Sequence, residues 1–259
     1  MIAWCGGAFQ TQIGQKKIPS GHAFLVRAGD ELSANAPQIG CRMWLAISGG
    51  CDAPLVLGSR STDMRAGFGG LDGRALRDGD ELPLGEMSAM NCARAKALRD
   101  KSLSSWSAQR EWTNTALRYP ILRIVRGVDW TRFDAFVHQA LTSEKFTVTP
   151  EADRMGVRLD GPELKRQEPG DLLSEAVAPG TIQVPPNGKP ILLLGDCQTI
   201  GGYPKIAHVI TVDLPVAAQL RTGDEVQFQE TSIPEAHSLL LRREEDLARF
   251  RIGLDLRTS

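Results

Sequence analysis

Pro179-Gly-Thr-Ile-Gln-Val-Pro-Pro-Asn-Gly-Lys-Pro-Ile-Leu-Leu-Leu-Gly-Asp-Cys-Gln-Thr-Ile-Gly-Gly-Tyr-Pro-Lys205 holds two short apolar runs among glycines and prolines. Gly180 to Val184 and Pro190 to Leu194 read as strands, and the intervening residues as turns. Each strand delivers a polar group at or near an end, Gln183 and then Asp196. Asp196, Gln198, Thr199, Tyr203 and Lys205 are therefore expected to converge at one rim. Such a rim offers a carboxylate for metal or proton, hydrogen-bonding groups, and an ammonium for an anion. The competing reading is a chance accumulation of polar groups in an exposed loop. Cys197 lies within the cluster, yet no histidine is close in the chain to activate it, and packing is the preferred role.

The same alternation of β-rich runs and turns extends outward. Strands are predicted at Ala23 to Val26, Met43 to Ile47, Ile121 to Val125, Phe146 to Val148, Ile206 to Val212 and Glu225 to Phe228. Gly (26) and Pro (15) are in excess and sit between these runs, so the chain reads as mainly β. Arg27-Ala-Gly-Asp-Glu-Leu32, Arg77-Asp-Gly-Asp-Glu-Leu82 and Arg221-Thr-Gly-Asp-Glu-Val226 repeat one turn element, its glycine supplying a conformation closed to most residues. Related β units and a hairpin turn arising independently both explain it. Ala89 to Lys101 is predicted helical, and the polar run from Ser102 to Asn114 is assigned to an interdomain connection. Thr131 to Leu141 is a second predicted helix, with Phe133, Phe136, Val137 and Leu141 on a core face.

Composition narrows the function. With 30 basic and 31 acidic residues the formal charge is -1, so no polycationic surface tracks nucleic acid. The five cysteines are far apart, which suits a reducing cytosol better than a disulfide framework or zinc ribbon. No run is apolar enough to span a membrane, and a cytoplasmic location is expected. No G-x-x-x-x-G-K-[ST], H-E-x-x-H or G-x-S-x-G motif occurs, and His22, His138, His208 and His237 lack metal-ligand spacing, leaving the identity of any metal open.

Two further segments carry candidate chemistry. Gly58-Ser-Arg-Ser-Thr-Asp-Met-Arg-Ala-Gly-Phe-Gly-Gly70 joins Ser59, Ser61, Arg60 and Arg65 to four glycines. Guanidinium groups beside open backbone amides suit a carboxylate or phosphate. A tight loop whose arginines pair with Asp63 or Asp72 is the alternative. Asp153 and Arg154 precede a turn glycine in Glu151-Ala-Asp-Arg-Met-Gly156, and Arg158 beyond it reads as a structural ion-pair partner.

These segments, in this order, resemble the family of 5-oxoprolinase C-type subunits, also described as biotin-dependent carboxyltransferases and allophanate hydrolase subunit 2. The signatures are Gly58-Ser-Arg-Ser-Thr62, Asp153-Arg-Met-Gly156, Ala178-Pro-Gly-Thr-Ile-Gln-Val-Pro185 and Gln198-Thr-Ile-Gly-Gly-Tyr-Pro204. The resemblance implies two cyclophilin-like β-barrel halves with a few short helices. Residues 1–86 would form the first half, 87–119 a linker, 120–240 the second half, and 241–259 a tail. The family tends to begin further upstream, so the first half is expected to be shortened. Val125-Arg-Gly-Val-Asp129 and Cys197 depart from the family's usual Pro-Gly-Pro and arginine.

The implied reaction is the ATP-dependent opening of 5-oxoproline to glutamate, with magnesium as the nucleotide's counter-ion, a B-type partner and an A-type lactam-utilisation subunit. Asp196, Lys205 and Gln198 are the expected catalytic residues. Ser59, Arg60, Ser61, Arg65, Arg154, Gln183, Thr199 and Tyr203 are expected to bind substrate or anion. The alternatives are carboxyl transfer from biotin to urea or a related amide, and a non-catalytic antagonist of a kinase inhibitor or an inactive remnant.

Overall fold

Period-two burial builds the first sheet: in β1 (Ile2–Gly6) Ile2, Trp4 and Gly6 are buried while Ala3 and Cys5 are partly exposed. The computed structural model describes residues 1–168 and 172–256. After β1 come β2 (Thr11–Ile13), β3 (Lys16–Lys17), β4 (His22–Phe24), β5 (Leu32–Ala34) and β6 (Met43–Ile47). Then follow α1 (Ala89–Ala97), β7 (Leu103–Ser107) and α2 (Arg110–Thr113). Strands pair in the order β6-β1-β4-β7, with β3-β2-β5 as a smaller sheet beside them. The first half is therefore an open sheet, its core centred on Ile2, Trp4, Ile13, Ile18 and Phe24. The Trp4 indole donates to the Ile18 carbonyl at 2.9 Å, so its buried N–H is satisfied.

The run assigned to a connection is partly sheet. β7 pairs antiparallel with β4, and the buried Ser104 hydroxyl accepts from the Ala23 amide at 3.0 Å and donates to the Trp106 carbonyl at 2.6 Å. Serines that bond the backbone hide a strand from a reading based on apolar alternation.

The second half closes. Its elements are β8 (Ile121–Arg126), α3 (Ala135–Ser143), β9 (Phe146–Val148), β10 (Gly156–Asp160), β11 (Glu175–Ala176), β12 (Thr181–Gln183) and β13 (Ile191–Leu193). β14 (Ile200–Gly201), β15 (Lys205–Val209), α4 (Leu214–Ala217), β16 (Glu225–Glu230) and α5 (Ile233–Leu256) complete it. β10-β13-β12-β15-β8-β16-β9 forms a closed barrel, which leaves no free edge, and only β8 and β16 run parallel. Leu122, Ile124, Phe146, Ile182, Ile206 and Phe228 fill it, each at most 1% exposed. At about 1.5–3 kcal/mol per fully buried large apolar side chain, this is the chain's principal core.

Helix boundaries differ from expectation for local reasons. α3 starts at Ala135 because Asp134 caps it, accepting from the Val137 amide at 2.8 Å. Val137, Ala140 and Leu141 then face inward, whereas Phe136 is 77% exposed and is not a core residue. The expected tail is instead the end of a 24-residue helix that begins at Ile233, and residues 257–259 lie outside the described ones. Its start was legible: in Ser232-Ile-Pro-Glu235 the serine hydroxyl accepts from the Glu235 amide at 3.2 Å, with proline in the first turn. α5 reaches back to the first half, where Phe250 meets Trp106 and Trp112 edge-on and Asp255 pairs with Arg94 at 3.1 Å.

The repeated turn has one geometry at all three sites. Asp30, Asp80 and Asp224 accept through the side chain from the amides of Arg27, Arg77 and Arg221 at 2.8, 2.7 and 3.0 Å. The glycines have φ of 84°, 85° and 86°, which a side chain would strain. Strands β5 and β16 follow the first and third turns, but none follows the second, where only an isolated bridge joins Cys51 and Leu84.

Candidate functional site

Residues between β6 and α1 form no helix or strand, and this long loop is shaped by turns instead. Val56 and Ser59 pair through two backbone hydrogen bonds, and Asp63 Oδ1 accepts from the amides of Arg65 and Ala66 at 3.0 and 3.0 Å. The Ser59 hydroxyl accepts from the Ser61 amide at 3.1 Å. Ser59, Ser61, Asp63 and Arg65 are thereby presented along one wall of a cleft of about 910 Å³.

The opposite wall belongs to the barrel. Asp153 Oδ1 accepts from the amides of Met155 and Gly156 at 2.8 and 3.0 Å, shaping the turn before β10. The residues after β13 lie against that turn, with Leu194 and Asp196 amides bonded to the carbonyls of Met155 and Arg154. Arg154, Asp196, Cys197 and Gln198 thus line the cleft. Arg154 and Asp196 form an ion pair at 3.2 Å, both side chains more than half exposed. Arg65 crosses the seam, its guanidinium 2.7 Å from the Met155 sulfur. Arg42, just ahead of β6, lines the cleft as well and was not singled out in the sequence, where it stands alone between Cys41 and Met43. Burial pushes the Cys197 thiol above its ordinary pKa, which disfavours a thiolate nucleophile.

Of the expected site residues, the structure brings together Ser59, Ser61, Arg65, Arg154, Asp196 and Gln198. Arg60 points elsewhere: its guanidinium binds Asp52 at 3.1 Å and the Ala53 carbonyl. Gln183 is buried within the barrel wall, its amide donating to the Tyr203 carbonyl at 3.3 Å, a structural placement. Thr199 is exposed, and its carbonyl accepts from the Val177 amide at 3.0 Å. Tyr203 lies with Phe133, Pro185 and Pro204 around a separate cavity of about 270 Å³. Lys205 pairs with Glu175, and its backbone amide bonds Asp129 at 2.9 Å, beside a further cavity shared with Tyr203. The rim expected to gather Asp196 through Lys205 is therefore divided. β14 turns aside to pair with β11, leaving Asp196 to Gln198 on the seam and Tyr203 to Lys205 elsewhere. Among the described residues no group of three His, Cys, Asp or Glu could hold a metal ion, and no helix is long and apolar enough to cross a membrane.

An open sheet and a closed barrel, meeting at a cleft lined by arginine, serine and aspartate, define a two-part, mainly β protein whose candidate site lies at the seam. The chain belongs to the carboxyltransferase domain family, whose subdomain A and B description matches residues 1–230. It is 36% identical over 249 residues to the 5-oxoprolinase C subunit of Escherichia coli (strain K12), covering 96% of this chain and 74% of that protein. Urea amidolyase of Lachancea kluyveri is 29% identical over 257 residues, 92% of this chain but 14% of that protein. The solved urea carboxylase of Kluyveromyces lactis superposes with a TM-score of 0.83 at 26% identity, over 96% of this chain and 23% of that one.

Proposed function

We propose that the chain is a subunit of an ATP-dependent 5-oxoprolinase, converting 5-oxo-L-proline to L-glutamate, and that the seam cleft activates the lactam amide. A B-type partner completes the activating unit, and hydrolysis falls to an A-type lactam-utilisation subunit. What supports the reading most is the 36% identity, along 96% of the chain, to a protein named as the C subunit of 5-oxoprolinase.

The cleft's residues suit such a task. Arg42, Arg65 and Arg154 stand beside Asp63, Asp153 and Asp196 in a space of about 910 Å³, a donor set and a volume that fit a nucleoside triphosphate. Arg42 and Arg65 would hold its phosphates, and Asp196 the accompanying magnesium. Bound there, ATP would supply the phosphoryl group that makes an amide oxygen a leaving group. The chain's own part is orientation: Ser59 and Ser61 donate to the substrate carboxylate, and the Gln198 amide donates to the lactam carbonyl. Arg60, turned to Asp52, and Lys205, beside Glu175, do not line this cleft and drop out of the roles expected for them.

Carboxyl transfer from biotin is the second reading, favoured by the TM-score of 0.83 to urea carboxylase. It requires a carrier with a Met-Lys-Met-type attachment lysine, which this sequence lacks. The deciding experiment is ATP hydrolysis by the reconstituted complex with and without 5-oxoproline. Stimulation by that substrate is expected, and hydrolysis indifferent to it rejects the assignment.

A further inference from the structure

Gln219 follows α4 in the barrel half and is 3% exposed, yet its side chain serves the other half of the molecule. Its Oε1 accepts from the amides of Cys41 and Arg42 at 3.0 and 3.0 Å, and its Nε2 donates to the Arg42 carbonyl at 3.0 Å. The primary amide thus bonds Arg42 as a neighbouring strand would, through both its N–H and its C=O. Space is cleared for it: Gly40 has φ of 82°, and a Cβ there would lie 2.7 Å from Oε1. The Arg42 guanidinium returns a bond to the Ala218 carbonyl, and Arg221 donates to the Gln38 carbonyl at 2.9 Å.

The clamp has a direct line to the cleft. Arg42 lines it, and the next residue begins β6, whose far end leads into the loop that carries Ser59 to Arg65. On the other side, Ala217 and Leu220 belong to the barrel core, which makes Gln219 a fixed point. We infer that Gln219 is a positioning residue that holds the first-half wall of the cleft in register with the barrel wall, an inference that rests on reading this cleft as the site. Three bonds from one buried amide to one dipeptide leave that segment little freedom to slide.

The test uses the full chain with Gln219→Leu, which removes all three bonds, and Gln219→Glu, which keeps acceptors for both amides. Iodoacetamide labelling of the native thiols, resolved by mass spectrometry, reports the seam at Cys41 and Cys197 and the first sheet at Cys5. Gln219→Leu is expected to melt cooperatively, label Cys41 and Cys197 about 10-fold faster with Cys5 unchanged, and raise KM for 5-oxoproline in the reconstituted complex about 10-fold, more than it lowers kcat. Gln219→Glu should fall between wild type and Gln219→Leu, and it carries the same criteria if the leucine variant does not fold. Equal acceleration at all three thiols, unchanged labelling at Cys41 and Cys197, or faster labelling with unchanged KM would each overturn the proposal. Selective labelling in a complex without 5-oxoproline turnover would refute the proposed activity and leave the positioning role supported.

Discussion

The two halves solve the same packing problem differently. The barrel of the second half returns on itself, so β9 and β10 complete a ring and none of its seven strands is left unpaired at an edge. In the first half β6 ends the sheet, and Trp44 and Leu45 on it are 51% and 40% exposed. The barrel is a rigid wall because its own core sets it. The loop wall opposite is placed from outside, by Gln219 on Arg42 and by Arg65 on Met155. A site at such a seam takes its stability from one part and its adjustability from the other.

Substitutions break this contrast most strongly in the cores. Phe228→Ala should cost about 3–5 kcal/mol in denaturant titration, because it opens a cavity inside a closed ring. Trp44→Ala on the exposed edge should change stability by no more than about 0.5 kcal/mol. An equal loss at both positions would remove the distinction between the halves. Next in size is the seam: Arg65→Ala is expected to lower kcat/KM of the reconstituted complex by about 10-fold to 100-fold. Arg60→Ala, five residues earlier in the same loop but tied to Asp52, should leave it unchanged.

Acid sharpens the comparison with smaller effects. Burial lowers the His208 pKa below its ordinary 6.5, so the unfolded chain binds that proton more readily. Barrel stability is then full above pH 6.5 and declines as pH falls from there through the folded value, a slope that His208→Gln should remove from melting curves. In the first half the Arg74 guanidinium, with the Arg77 amide, holds the Asp80 carboxyl at about 2 instead of 3.8. Its contribution is full above pH 3.8 and is lost as pH falls toward 2, and Asp80→Asn should abolish that acid component alone.

The barrel was largely legible because its strands are apolar runs bounded by glycine and proline: Phe146–Val148 falls where expected, and Ile121–Arg126 and Ile191–Leu193 within a residue. Strand β7 was not, since its serines imitate a linker, and α5 was missed although its capping sequence was present. The arginine loop stood out by composition, but composition does not tell which guanidinium faces the cleft. Arg60 and Arg65 differ only in which neighbours claim them first. Asp196 and Lys205 are close in sequence but line different cavities. An extended chain advances about 3.3 Å per residue, so a few residues suffice to leave one site for another.

That the site lies at the seam, and not at the tyrosine-lysine end of the second half, is tested most directly by paired variants of the reconstituted complex. Substrate-dependent ATP turnover should collapse in Asp196→Asn and persist in Lys205→Met, with both variants folded and able to assemble. Turnover that survives the first change and disappears with the second would place the chemistry beside Glu175 and Tyr203 and contradict the account.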